Sequence, residues 1–143
     1  MALVGLLEDN ARIAKLCATF LHYAGHQVTV YETSRKCLHA FFPESKMHNT
    51  LPSFHETIQP YTLPVEVLIM DLSLPDISGI DVLRYLTTHP LTQALPLILC
   101  TAAANAEVAR ALCVAPHAGI VEKPFKLQTL ISAISTALHT PTK

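Results

Sequence analysis

Apolar and polar positions along this chain follow two periods that alternate. Five short, mainly apolar segments are each followed by a longer stretch in which apolar residues recur every three or four positions. Short apolar runs are typical of buried β-strands, and the three-to-four spacing is typical of amphipathic helices. The pattern therefore predicts five strands, β1 to β5, at residues 2–7, 27–31, 65–70, 97–100 and 120–122.

Five predicted helices, α1 to α5, fill the intervals after the strands. Their apolar stripes occupy residues 13–21, 38–42, 80–86, 105–114 and 127–138. Gly25 ends the first helix, Thr33 or Ser34 begins the second, and Ser78 provides an N-terminal cap for the third. Because strands and helices alternate, we expect a doubly wound α/β fold with a five-stranded parallel sheet between two helical layers.

Residues 43–64 interrupt this alternation between α2 and β3. The segment contains four prolines, too many for regular structure throughout. Loops this long are uncommon in compact domains and are often functional, although a surface insertion costs little stability. We predict a single domain over residues 1–143, with an extended α2–β3 loop at 43–64 and a tail at 140–143.

The composition fits one small domain, part of whose surface is covered by a partner. The chain has 143 residues, within the common domain size of roughly 100–150. Charged residues make up only 15% of the chain, against about 25% in typical domains, which favours a dimer or another partner surface. Because the net charge is −1 and no basic stripe occurs, we expect no direct binding of nucleic acid. No apolar stretch approaches the ~20 residues of a membrane span.

Four cysteines, Cys17, Cys37, Cys100 and Cys113, show no paired CxxC spacing. Each falls within an apolar pattern, so we expect reduced thiols in the core of a cytoplasmic protein. The N-terminus also lacks the basic region of a secretory signal, and residues 2–7 are needed as a strand.

Polar side chains that could take part in catalysis or ligand binding follow four of the predicted strands. Glu8 and Asp9 follow β1, Asp71 follows β3, Thr101 follows β4, and Lys123 follows β5. In an open parallel sheet these strand ends share one edge, where such folds place their ligands. The sequence therefore predicts that three carboxylates, a hydroxyl and an ammonium group converge.

This set of groups is suited to phosphoryl transfer. Three converging carboxylates repel one another unless a cation compensates, and Mg²⁺ is a hard cation that binds carboxylate oxygens. One carboxylate remains free to act as a nucleophile. A lysine and a threonine hydroxyl at the same point would hold the phosphoryl oxygens. The inventory indicates an aspartate that accepts a phosphoryl group.

The same residues carry a family resemblance. Four motifs occur in order: Glu8-Asp9, Asp71 followed by Pro75 and Gly79, Thr101-Ala102, and Lys123-Pro124-Phe125. With them the chain resembles the receiver domain of two-component response regulators, apart from residues 43–64 and the tail. The resemblance implies a flavodoxin-like sheet with strand order 2-1-3-4-5.

The resemblance also implies a role for each site residue. Asp71 would be the phospho-acceptor, and Asp9 and Asp71 would bind Mg²⁺ directly. Glu8 would act on the metal mainly through water, and the backbone carbonyl of Ser73 would add a ligand. Lys123 would pair with the phosphoryl group, and the Lys123–Pro124 peptide bond would be cis, which only an X-Pro bond adopts at low cost.

The implied function is signalling rather than enzymatic turnover of a separate substrate. A sensor histidine kinase or a phosphotransfer protein would donate the phosphoryl group to Asp71, and the domain would also catalyse its own phosphorylation and dephosphorylation. Thr101 would sense the phosphoryl group and change an output surface formed by α4, β5 and α5. That surface would contact a second copy or an output domain.

Two positions depart from the family pattern. Ile120 stands three residues before Lys123, where the family usually has tyrosine or phenylalanine as part of the switch with Thr101. Ala103, two residues after Thr101, is too small to screen a phosphoryl group. We therefore expect the switch to act mainly through Thr101 and the β4–α4 loop, with weak coupling through Ile120.

Two other functions are compatible with parts of this pattern. The first is a pseudo-receiver, a protein-binding module not controlled by phosphorylation, which the Ile120 departure favours. The second is an aspartyl-phosphate hydrolase of the haloacid dehalogenase type. That class needs a second aspartate two residues after the nucleophile, where this chain has Ser73, and a cap domain to build a substrate pocket, for which we identify no segment.

Overall fold

The computed structural model describes residues 2–42, 62–102 and 104–139. Strands and helices alternate throughout these residues, as the periodicity predicts. The strands are β1 (Leu3–Leu7), β2 (Gln27–Tyr31), β3 (Val67–Met70), β4 (Leu97–Thr101) and β5 (Gly119–Glu122). The helices, numbered here in chain order, are α1 (Ala11–Tyr23), α2 (Ser34–Phe41), α3 (Gly79–Thr88), α4 (Asn105–Val114) and α5 (Leu127–His139).

The five strands form one parallel sheet in the order β2-β1-β3-β4-β5. The central strand β3 is fully buried, and its register pairs Met70 with Leu7 of β1 and Leu99 of β4. Its apolar run, which lacks polar alternation, is therefore that of a strand covered on both faces. The predicted fold class and strand order are confirmed.

Two apolar cores lie on opposite faces of the sheet. On one face, α2, α3 and α4 pack on side chains that include Leu68, Met70 and Leu99. On the other face, α1 and α5 pack on the alternate strand residues, including Ile69 and Ile98. Successive strand side chains point to opposite faces, so neighbouring apolar residues supply both cores. Three layers result.

Capping side chains set the helix starts. Asn10 accepts hydrogen bonds from the Arg12 and Ile13 N–H groups at 3.0 and 3.2 Å, which begins α1. Ser78 accepts from the Asp81 N–H at 3.2 Å, which confirms its predicted cap role for α3. Gly25 follows α1 with φ of 95°, a left-handed conformation that glycine adopts without strain.

One prediction about the core is wrong. Cys17, Cys37 and Cys100 are buried, but Cys113 is exposed. Cys113 lies two positions after the buried Ala111 on α4. Two residues advance a helix by about 200°, so these side chains face opposite sides. The apolar residues beside Cys113 in sequence therefore led to the wrong prediction that its side chain lies in the core.

Several predictions fall outside the described residues. Most of the 43–64 insertion, Ala103 and the 140–143 tail are among them. Within the described ranges, none of the helices has the length and apolar character needed to cross a membrane.

Candidate functional site

The acidic residues after β1 and β3 meet at the carboxyl edge of the sheet. The parallel ladder continues past both strands, because Asp71 N–H donates to Leu7 O at 3.2 Å and Glu8 N–H donates to Tyr31 O at 3.2 Å. Carboxylate oxygens of Glu8, Asp9 and Asp71 lie within 4.8 Å of one another. The ladder thus places in one pocket two acids that are 63 positions apart in sequence.

Lys123 enters this pocket from the end of β5. Its Nζ lies 2.6 Å from Glu8 Oε1 and 3.0 Å from Asp71 Oδ2. Burial lowers the pKa of the ammonium group, but hydrogen bonds and attraction from the two carboxylates outweigh it, so the pKa of Lys123 is raised. A cationic lysine therefore bridges the two buried acids at neutral pH.

The second oxygen of each buried acid is held by the backbone. Asn10 N–H donates to Glu8 Oε2 at 3.2 Å, and Ser73 N–H donates to Asp71 Oδ1 at 3.1 Å. Both carboxylates are thus oriented through both oxygens. Asp9 is exposed, so this third acid lies at the mouth of the pocket.

The predicted Thr101 lies at the carboxyl end of β4 and is buried. Its register partner on β5 is Glu122, and its backbone carbonyl accepts from Lys123 N–H at 3.0 Å. Thr101 and Lys123 therefore occupy adjoining strand ends. The Lys123–Pro124 peptide bond is cis, as the resemblance implies.

Ile120 does not lie with the charged residues. It pairs with Leu99 in the sheet and packs, partly buried, against the core beneath α2, α3 and α4. The structure thus brings Thr101, Lys123 and the three acids to the same edge and leaves Ile120 within the adjoining core. Its switch role stays a prediction.

The donor set of the pocket suits a hard divalent cation. Three carboxylates offer oxygen atoms within 4.8 Å of one another, and one of these acids, Asp9, is exposed at the mouth of the pocket. Mg²⁺ binds carboxylate oxygens of this kind while it keeps several of its waters. Two thiols lie close to these charges, and their burial raises the pKa of Cys17 to about 11 and of Cys100 to about 12. Both thiols stay protonated at neutral pH, and among the described residues the group that could hold a metal ion consists of carboxylates.

Two contacts near the site were not predicted from the sequence. Glu8, expected to act on a metal through water, also forms a 2.6 Å ion pair with Lys123 that the sequence did not indicate, and its role toward a metal stays a prediction. Asp76, five residues after Asp71, accepts hydrogen bonds from the Ser34 and Arg35 N–H groups of α2. The only local signal was an aspartate after Pro75, which is typical of any turn.

Comparisons with known proteins agree with this geometry. Residues 4–135 match the family model described as the response regulator receiver domain. No curated protein sequence matches the chain.

Solved receiver structures share the fold. The non-phosphorylated HemR receiver domain from Leptospira biflexa has a TM-score of 0.74 at 19% identity, with 100% of this chain and 98% of that chain covered. A response regulator receiver domain protein from Clostridium thermocellum has a TM-score of 0.73 at 22% identity, with coverage of 96% and 94%. Chemotaxis response regulator CheY4 of Vibrio cholerae has a TM-score of 0.71 at 19% identity, with coverage of 96% and 99%.

At these identities the structural likeness establishes the fold alone, whereas the family match spans nearly the whole sequence. The alternating architecture, the acidic pocket at the sheet edge and that match lead to the same assignment. The chain belongs to the response regulator receiver domain family.

Proposed function

We propose that this protein is a phospho-accepting receiver in which a histidine-containing donor transfers a phosphoryl group to Asp71 with the help of Mg²⁺. One observation carries the proposal: the Lys123 ammonium bridges the buried carboxylates of Glu8 and Asp71 at the sheet edge, with Asp9 at the mouth. A nucleophilic carboxylate beside a fixed cation is what phosphoryl transfer to an aspartate needs.

In the transfer, a carboxylate oxygen of Asp71 attacks the phosphorus atom of a phosphohistidine. The new P–O bond forms as the P–N bond breaks, and the imidazole nitrogen keeps the electron pair. Ser73 N–H and Lys123 hold the carboxylate in place before attack. Lys123 is also the cation that balances the negative charge on the product. Mg²⁺ held by Asp9 and Asp71 would neutralise charge on the phosphoryl oxygens.

The partner is a sensor histidine kinase or a phosphotransfer protein, acting in the cytoplasm. Free thiols at all four cysteines fit that compartment. We assign its contact to α1, because Leu16, Phe20 and Tyr23 form an exposed apolar stripe at helical spacing. Leu16 lies roughly 7.5 Å along the axis from the start of α1, which directly follows the acids Glu8 and Asp9.

A Leu16→Asp variant tests this contact. Transfer from a kinase should fall because the charge is buried against the partner, while labelling by acetyl phosphate should not change because the pocket is intact. Lys15→Asp, a charge change at the neighbouring exposed position, is the matched control. Equal kinase transfer in Leu16→Asp and wild type would move the contact elsewhere.

The output face consists of α4, β5 and α5, where a second copy or an output domain would bind. Two pocket residues adjoin it directly. Thr101 ends β4 and leads into the loop before α4, and Lys123 follows the last residue of β5. Contacts made by a phosphoryl group with either residue would therefore act on elements of that face.

The direct test is labelling of the purified chain with acetyl phosphate and Mg²⁺, followed by mass spectrometry. Wild type should gain one phosphoryl group and Asp71→Asn should gain none. Asp81→Asn, which changes an exposed aspartate on α3, is the control and should label normally. Labelling of Asp71→Asn would refute Asp71 as the acceptor.

The same assay separates two alternatives. A pseudo-receiver, favoured by Ile120 in place of an aromatic residue, would bind its partner but would take no label at Asp71. A hydrolase would release one phosphate in each catalytic cycle and would turn over many substrate molecules per protein molecule. Against the hydrolase, the residue two positions after Asp71 is Ser73, whose N–H donates to Asp71.

A further inference from the structure

The loop after the phospho-acceptor is tied to a helix that is distant in sequence. In this loop, which connects β3 to α3, Asp76 Oδ1 accepts from Ser34 N–H at 3.2 Å and Asp76 Oδ2 accepts from Arg35 N–H at 2.9 Å. Ser34 Oγ donates to Ile77 O at 2.8 Å. Three hydrogen bonds thus join the loop to the first turn of α2, 41 to 43 positions away.

These contacts differ from an ordinary helix cap. The first N–H groups of a helix lack intrahelical partners, and a carboxylate there is also favoured by the helix dipole. Thr33, directly before α2, already provides a local cap by accepting from Lys36 N–H at 3.0 Å. Asp76 is a second cap that comes from another element. The Ser34 side chain is fully buried, so its bond to the loop is shielded from water.

The tied loop is the one that orients the nucleophile. Ser73, three residues before Asp76, donates its N–H to Asp71 Oδ1 at 3.1 Å. The base of the loop is closed where Gly79 N–H donates to Leu72 O at 3.2 Å. Between Ser73 and this closure, Asp76 and Ile77 provide the contacts to α2. Without the Asp76 carboxylate, the tip of the loop keeps the bond from Ser34 Oγ to Ile77 O and the packing of Leu74 and Ile77 against the core, but loses both hydrogen bonds to the backbone of α2.

We propose that Asp76 is a positioning residue for phosphoryl transfer: by tying the β3–α3 loop to α2, it keeps Ser73 N–H on Asp71 and so holds the acceptor carboxylate in the geometry of attack. The proposal rests on the proposed function of Asp71. Misplacement of a reacting group by about 1 Å can cost roughly 100-fold in rate. A loop that is loosened but still closed at Gly79 should cost about tenfold.

The test compares Asp76→Ala with Thr33→Ala in the full chain. Both variants remove a cap of α2, but only Asp76→Ala releases the β3–α3 loop. The first measurement is the labelling rate at saturating acetyl phosphate and Mg²⁺, at a temperature where circular dichroism shows every variant folded. We expect Asp76→Ala to label about tenfold more slowly and Thr33→Ala to label at the wild-type rate. Asp76→Asn keeps one acceptor and should recover part of the rate.

The second measurement, amide hydrogen exchange at Ser73 by NMR, needs no phosphorylation. Exchange should be faster in Asp76→Ala only. The proposal would be overturned if Asp76→Ala showed the wild-type labelling rate and the wild-type exchange rate. It would also be overturned if Asp76→Ala and Thr33→Ala lost the same factor in labelling rate, because Asp76 would then act only as a cap of α2. If wild type takes no label, the proposed function fails, and faster exchange in Asp76→Ala would then show a loop tie without a role in transfer.

Discussion

Replacing Lys123 by methionine should strongly destabilise the protein, because it leaves two buried carboxylates without their cation. Glu8 and Asp71 have side-chain exposures of only 5% and 10%, and each has an oxygen within 3.0 Å of Lys123 Nζ. Methionine keeps most of the length and apolar volume of lysine. The perturbation is therefore electrostatic rather than a cavity.

The magnitude follows from the two contacts. A hydrogen bond to a charged group contributes about 1.5–3 kcal/mol, and removing one partner of a buried ion pair costs about 3–5 kcal/mol. The Lys123 side chain retains 14% exposure and Asp9 opens the pocket to water, so we take the lower end. The expected loss is about 3 kcal/mol, or roughly 150-fold in the unfolding equilibrium.

Urea unfolding at neutral pH with a chelator present measures this loss. Lys126→Met, a change at an exposed lysine three positions later, is the control and should shift stability by less than about 0.5 kcal/mol. Asp71→Asn combined with Lys123→Met should recover part of the loss, because one of the two unpaired charges is gone. Added Mg²⁺ should stabilise Lys123→Met more than wild type, since the acids then lack another cation.

Two results would refute the reasoning. If Lys123→Met were as stable as Lys126→Met, the ion pairs would contribute no net stability. If the double variant were no more stable than Lys123→Met, the unpaired charge of Asp71 would not contribute to the loss.

Three further predictions concern the loop and the switch. Gly79→Ala should cost about 2 kcal/mol or more in urea unfolding, because a Cβ would lie 2.5 Å from Leu72 Cα, and an unchanged midpoint would contradict this close approach. Burial alone would raise the pKa of Asp76, but hydrogen bonds from backbone N–H groups lower it. The stability of wild type relative to Asp76→Asn should therefore be greatest above the usual carboxyl pKa of about 3.9 and should decline as the pH falls. A stability difference that does not change with pH would contradict this linkage. Beryllofluoride should shift amide signals at Thr101 and in the loop after it equally in wild type and Ile120→Val, and loss of that response in the variant would make the isoleucine the relay.

The sequence by itself determined the elements and the composition of the site. Apolar periodicity identified the five strands and five helices of the described residues, including α4 at Asn105–Val114, because burial of one face imposes a local spacing. The Ser78 cap was visible for the same reason, since a cap acts within one helical turn. The positions of Asp71 and Lys123 after apolar runs were enough to place both at one edge of a parallel sheet.

The order of the strands needed more than this periodicity. Spacing of apolar residues shows that a segment is a strand, but several parallel arrangements bury the same residues. The order 2-1-3-4-5 came from the family resemblance, and the sheet confirms it.

Only the tertiary structure decided which charged groups are partners. Glu8 is buried and pairs with Lys123, 115 positions away, whereas its neighbour Asp9 is exposed at the pocket mouth. Asp76 reaches α2 across 42 positions. The physical reason is that the parallel register sets which strand ends adjoin and which of two neighbouring side chains faces inward, and that register arises from contacts across the sheet rather than along the chain.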